Sequence, residues 1–160
     1  MDGSLSDDEI CDVIKNYKER INHVQNEINI SYAALASFRD GTCQDDLIMA
    51  ASIPGENGKR QNDLSDVIDE YQHLVRDETD EIRAYVYELK EMRERMNSIM
   101  RAFYRLSVQD QTAFRKIVCK GKPATVAYEE AAVEMDRSLA TVMRMRRDLI
   151  EKIRKNWRKQ

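Results

Sequence analysis

Basic side chains are concentrated at the C-terminal end of the chain. From Arg137 to Gln160 there are nine Lys and Arg residues against two acidic ones, Asp148 and Glu151, which gives a net charge of +7. Clustered ammonium and guanidinium groups neutralise phosphates, so this segment has the chemistry of a nucleic-acid contact. Residues 1–100 carry 11 basic and 22 acidic side chains, so the overall charge of −3 combines an acidic body with a basic end.

The sequence contains Cys and His residues, but their spacing does not match a known catalytic or metal-binding motif. Cys11, Cys43 and Cys119 form no Cys-x-x-Cys pattern, and they do not combine with His23 or His73 at the spacing of a zinc site. The sequence contains no glycine-rich phosphate loop and no nucleophile motif. We therefore expect no enzyme activity, no catalytic residue, no metal and no cofactor. Unpaired thiols of this kind are typical of a reducing cytoplasm.

The basic region begins within a predicted helix-turn-helix. Residues 126–135 place a tyrosine, two alanines and a methionine on one helical face, and the small alanines allow another helix to approach closely. Asp136 and Arg137 predict a tight turn, and Ser138 is a suitable N-cap for a last helix that runs toward Trp157. Two short helices joined by a turn of three to four residues, with the second one basic, define this motif.

The last predicted helix has an apolar side and a polar side. Its apolar residues recur at helical spacing and should face the core: Val142, Met145, Leu149 and Ile153. The opposite side carries a different set: Ala140, Met143, Arg144 and Arg147. In a helix-turn-helix the first helix supports the second, which projects polar and basic side chains into the major groove. A basic amphipathic helix alone could equally lie on a surface or dock on a protein, but the spacing of the whole motif favours DNA.

The same stretch resembles a known family. It reads Tyr128-Glu129-Glu130-x-Ala132-x-x-Met135-x-x-Ser138-x-x-Thr141-Val142, which is similar to the sigma factor region four motif Y-x-E-I-A-x-x-L-G-[IV]-S-x-[ST]-T-V. The resemblance covers about residues 106–155. The sequence departs from the family pattern where Ala131 replaces Ile, Asp136 replaces the turn glycine and Arg137 replaces an apolar residue. Asp adopts the left-handed backbone more readily than most residues, so we expect the turn to survive.

This resemblance implies recognition of the promoter −35 element by the second helix, and contact with RNA polymerase. Carried over by position, Ser138 would cap the recognition helix, and Arg144 would reach guanine O6 and N7 with its forked side chain. The predicted DNA-binding set is Ser138, Leu139, Ala140, Thr141, Met143, Arg144, Arg146 and Arg147. No promoter-melting region is visible, so the chain is most similar to the small sigma-region-four-like regulators of phages and prophages.

Two long heptad seams precede the motif. Apolar residues from Ile10 to Ile28 follow alternating steps of four and three, and a second seam runs from Leu64 to Leu106 with one acidic interruption. Residues 41–61 between them contain closely spaced Pro and Gly, which predict a loop that reverses the chain. Since so narrow a seam cannot bury itself, each helix needs a partner from the same chain or from a second copy.

We therefore predict an all-α fold, with long antiparallel or dimeric coiled-coil helices followed by a C-terminal helix-turn-helix domain. The predicted domains are residues 1–106, with the loop at about 41–61, and residues 107–160, which begin at the S-x-x-D capping signature of Ser107. The sequence has no run apolar enough to span a membrane, and its first residues do not resemble a secretory signal.

The function expected from these features is sequence-specific, double-stranded DNA binding in transcription regulation, in the bacterial cytoplasm at the nucleoid. The coiled coil would serve homodimerisation or docking on RNA polymerase. Two alternatives remain open at this point. A phage DNA-packaging protein resembling a terminase small subunit also combines these elements, and a coiled-coil adaptor would need no DNA at all.

Overall fold

The regular structure of the chain is helical wherever it is described. The computed structural model describes residues 3–39, 64–118 and 123–160, and its elements in these ranges are five α-helices with no strand. They are α1 (Asp7–Arg39), α2 (Leu64–Tyr104), α3 (Val108–Val118), α4 (Ala124–Glu134) and α5 (Leu139–Arg158). The predicted all-α class is therefore confirmed for these residues. The predicted loop at 41–61 lies outside them. So do Gly41 and Gly121, two glycines at which the sequence predicts that helices end.

Serine side chains cap the starts of α1 and α3, and the sequence predicts the second of these caps at Ser107. The Ser6 hydroxyl accepts the Glu9 backbone N–H at 3.1 Å before α1, and the Ser107 hydroxyl accepts the Asp110 backbone N–H at 3.1 Å before α3. Each bond satisfies one of the N–H groups that lack a partner in a first helical turn. The end of α2 comes at Tyr104, two residues before the predicted end at Leu106, because the chain tightens there into a turn.

The helices group into two compact units, and the first one contains both ends of the described chain. It consists of residues 1–22 and 93–160. Its core joins the start of α1 and the end of α2 to the three C-terminal helices, and the Phe103 and Phe114 rings lie 5.6 Å apart in it. Ile10, Ile99 and Phe103 from the predicted seams are fully buried in this core.

The second unit, residues 23–92, brings the later part of α1 against the earlier part of α2. The Tyr85 hydroxyl donates to Glu27 Oε2 at 3.1 Å, while Phe38 lines a cleft together with Val75. Because later residues of α1 meet earlier residues of α2, the two segments run antiparallel within one chain.

The buried positions of α2 in this second unit do not follow the heptad seam throughout. Tyr71 and Leu89 are buried as expected, but Tyr85 is 43% exposed and Met92 is 52% exposed. Val86, which lies outside the heptad pattern, is buried instead. A straight helix with 3.6 residues per turn drifts by about 20° per heptad, so its contact face leaves a strict 3.5-residue repeat.

The predicted boundary between residues 106 and 107 falls inside the first unit. Whether residues 107–160 fold independently as a domain is a separate property, and the predicted boundary stays a prediction. Among the described residues, no helix combines the length and the apolar character that a membrane crossing requires.

Candidate nucleic-acid interface

The turn between α4 and α5 has the geometry of a Schellman motif. The Arg137 N–H donates to Ala132 O at 2.9 Å, and the Asp136 N–H donates to Val133 O at 3.2 Å. Asp136 has a φ of 50°, in the left-handed region that glycine usually occupies at this position. The predicted survival of the turn with Asp136 in place of glycine is therefore confirmed.

The same turn leads directly into a capped helix. Ser138 is extended, and its hydroxyl accepts the Thr141 backbone N–H at 3.2 Å. The Ser138 and Thr141 hydroxyls also lie 2.8 Å apart, at hydrogen-bond distance. The predicted N-cap role of Ser138 is confirmed, and its hydroxyl is engaged in holding the first turn of α5.

Helix α4 supports α5 through small side chains. Ala127 and Ala131 are buried at 4% and 0% exposure, and Val142 of α5 is completely buried. Helices α3, α4 and α5 pack against one another. The inward face of α5 continues through Leu149, Ile150 and Ile153, all buried, which fixes the direction of its opposite face.

Most of the predicted DNA-contact residues lie on that opposite face or at the start of α5. Leu139 is 44% exposed and Met143 is 53% exposed, and Ala140, Arg144 and Arg147 are exposed as well. Within the described part of the chain, Arg144 and Arg147 make no hydrogen bond and no ion pair. Their guanidinium groups are therefore available to an external acceptor.

Arg146 is placed differently from its two neighbours. It is half-buried, its Nη2 lies 3.5 Å from Cys11 Sγ, and its guanidinium carbon lies 5.9 Å from the centre of the Tyr128 ring. These groups line a cavity of about 360 Å³ at the start of α1. Burial raises the pKa of the Cys11 thiol, and the nearby charge of Arg146 partly opposes that increase. The structure thus brings Arg146 to α1 and not to the exposed face of α5.

The remaining basic residues of α5 also divide into two groups. Lys152 Nζ lies 2.9 Å from Asp110 Oδ2, and Arg154 donates to Leu5 O at 3.1 Å and pairs with Asp7 and Glu151. By contrast, Lys155 and Arg158 are exposed and have no such partner in the described ranges. These two residues are not in the predicted DNA-binding set, although their spacing from Arg144 in the sequence places them on the same helical face.

No family model, no curated protein and no solved structure matches this chain. A search of residues 3–39, 64–118 and 123–160 also finds no group of three His, Cys, Asp or Glu side chains that could hold a metal ion.

Proposed function

We propose that this chain is a sequence-specific DNA-binding transcriptional regulator, and that residues 107–160 act as a helix-turn-helix similar to sigma factor region four. The observation that carries the proposal is that Arg144 and Arg147 are exposed and have no ion-pair partner among the described residues, on a helix that α4 supports and Ser138 caps. Cations clustered on one face create a positive potential that attracts an anionic ligand such as a nucleic-acid backbone.

The proposed docking places the first turns of α5 in the major groove. Ala140, Met143 and Arg144 would face the base edges, and Arg144 would donate to guanine O6 and N7. Arg147, one turn further along the same face, would reach a base edge or a phosphate. Leu139 and Thr141 lie at the N-terminal end of α5, which is the end that approaches the bases in helix-turn-helix proteins.

The acidic helices have a separate proposed role. We expect residues 1–106 to act as a coiled-coil body that pairs with a second copy or docks on RNA polymerase at a promoter, in the bacterial cytoplasm. In a dimer the two recognition helices would read half-sites about 34–36 Å apart, or a multiple of that distance. The excess of acidic residues in this part keeps it away from the DNA by repulsion.

The decisive experiment is a selection from a randomised duplex pool, with binding followed by fluorescence anisotropy at several salt concentrations. The full-length chain should enrich a defined sequence. R144A/R147A should lose that preference and at least tenfold in affinity, since a bidentate base contact contributes about 1–3 kcal/mol of discrimination. K152A is the matched control, because the Lys152 ammonium is engaged by Asp110. Weak binding to all sequences alike would exclude a sequence-specific regulator.

The mass of the protein in solution tests the proposed assembly. A monomer or a dimer agrees with a promoter regulator. A ring of eight or more chains would point to DNA packaging. If R144A/R147A leaves the cellular activity unchanged, an adaptor role without DNA replaces the proposal.

A further inference from the structure

We infer that Lys155 and Arg158 extend the interface along α5 and bind the phosphate backbone beside the groove that Arg144 and Arg147 enter. This inference rests on the proposed function and adds a second half to its site. It divides the exposed cations of one helix into a part that reads bases and a part that binds phosphates.

The first observation is that these cations share one face. Residues at positions i, i+3, i+11 and i+14 lie on the same side of an α-helix. This is the spacing of Arg144, Arg147, Lys155 and Arg158. All four are exposed and make no hydrogen bond or ion pair with any described residue. The side opposite to them is the buried stripe of α5, so the row faces away from the core.

The second observation is that the other cations of α5 are used inside the protein. Arg146 contacts Cys11, Lys152 contacts Asp110, and Arg154 contacts Asp7 and the Leu5 carbonyl. Arg154 is also only 15% exposed. The helix thus separates its basic residues by face, and only the outward row remains for an external partner.

The third observation is the length of the row. Lys155 comes 11 residues after Arg144 and Arg158 comes 14 residues after it, which at ~1.5 Å per residue gives separations of roughly 16 Å and 21 Å. The major groove is about 12 Å wide. If Arg144 reaches bases inside the groove, Lys155 and Arg158 lie beyond its width, where a phosphate strand runs and no base edge is within reach.

Two acidic residues lie close to this row and affect its charge differently. Glu151 stands between its two halves, but its carboxylate is paired with Arg154. Asp148 lies one turn after Arg144, is exposed, and has no partner in the described part of the chain. Its free charge opposes an approaching phosphate, so removing it should strengthen binding.

The test uses the full-length chain and two labelled duplexes of 30 base pairs, one of random sequence and one selected as above. K155A/R158A should bind both duplexes more weakly by a similar factor, about 30-fold near 0.15 M salt, and the slope of log K against log salt should fall by about 1.8. The preference for the selected duplex should remain. D148N should bind about threefold more tightly, since one charge about 6 Å from a phosphate has that effect in water.

K152A serves as the control, since it removes one charge from the same helix at a residue engaged by Asp110. Circular dichroism melting checks that each variant is folded. An unchanged salt slope in K155A/R158A, or an equal loss in K152A, overturns the inference while the proposed function stands. Failure of the unaltered protein to bind either duplex overturns the proposed function itself.

Discussion

The guanidinium of Arg146 lies 3.5 Å from the thiol sulfur of Cys11, which ties the first turns of α1 to the helix that carries the predicted DNA contacts. Arg154 adds a second tie in the same unit through Asp7 and the Leu5 carbonyl. The acidic start of the chain therefore takes up two of the cations of α5. The contact with Arg146 should therefore affect the pKa of the Cys11 thiol, which can be measured.

We expect Cys11 to stay a neutral thiol near pH 7 and to react slowly with alkylating reagents. Burial raises the pKa of the Cys11 thiol, whereas the charge and the hydrogen bond of Arg146 lower it in part. Removing that cation in R146Q should therefore raise the pKa further and move the pH dependence of the reaction upward. The measurement is the rate of iodoacetamide alkylation against pH in a C43S/C119S background.

The neighbouring exposed arginine provides the control for this prediction. R147Q removes the same charge from the same helix, but Arg147 has no contact with the thiol. The pH dependence of Cys11 alkylation in R147Q should therefore match that of the C43S/C119S protein that keeps both arginines. A Cys11 titration midpoint below that of a free cysteine would contradict the burial of the thiol. So would a downward shift in R146Q.

A second pH-dependent contact joins Glu9 of α1 to Arg95 of α2. Both guanidinium nitrogens Nε and Nη2 of Arg95 donate to the Glu9 carboxylate, the latter at 2.9 Å. The Arg95 hydrogen bonds hold the pKa of Glu9 below its ordinary value. Because the pKa of Glu9 is lower in the folded state than in the unfolded state, ionised Glu9 stabilises the fold at pH values above the unfolded-state pKa. This contribution is lost as the pH falls through the folded-state pKa.

We therefore expect E9Q to be less stable than the unaltered chain at pH 7, by about 1 kcal/mol after allowance for partial solvent screening. The difference should shrink as the pH is lowered through the folded-state pKa of Glu9 and the carboxylate becomes protonated. Urea unfolding at pH 7 and at a pH low enough to protonate this carboxylate measures it. E19Q is the control, because Glu19 is exposed on the same helix and makes no ion pair with the described residues. An equal loss in E9Q at both pH values would show that the pair contributes only packing.

The features that the sequence predicted correctly depend on neighbours within a few residues. Ser138 caps α5 and Asp136 adopts a positive φ because both are decided by local backbone geometry. Helical spacing places Arg146 four residues after Val142, on the apolar side of α5, and Arg147 on the opposite side. It does not identify the partner of Arg146, because Cys11 lies 135 positions away in the chain and such a contact leaves no local pattern.

The long helices illustrate the other limit of prediction from sequence. Tyr71 and Leu89 are buried, and both the heptad repeat and the 3.6-residue repeat place them on the contact face, because their separation in the sequence is a whole number of helical turns and both also stand on the heptad seam. The two repeats differ at intermediate positions, where Val86 is buried in place of Tyr85. Burial follows the heptad repeat only where the two helices supercoil around each other. Supercoiling depends on both helices, so the sequence of one helix does not predict it.

Asp136 offers a direct test of the turn between α4 and α5. Its φ of 50° is favourable for glycine, acceptable for Asp, and costly for a β-branched residue. We expect D136G to be at least as stable as the unaltered chain, and D136V to lose about 1–2 kcal/mol. Thermal and urea unfolding measure both. D148V, an equivalent change inside α5 at an exposed position, should cost less than D136V.

Ala131 tests how closely α4 and α5 approach each other. The family motif that this stretch resembles in sequence has Ile at this position, but here Ala131 is completely buried. If the helices already fill the space, A131I must push them apart, which costs about 1–3 kcal/mol. A140I is the matched control, because Ala140 is exposed on α5 and this variant suffers only the loss in helix propensity, about 0.4 kcal/mol. Urea unfolding of the two variants gives the comparison. A gain in stability for A131I would mean that the α4–α5 contact has unfilled volume, and α5 would then be held less firmly than the buried alanines of α4 indicate.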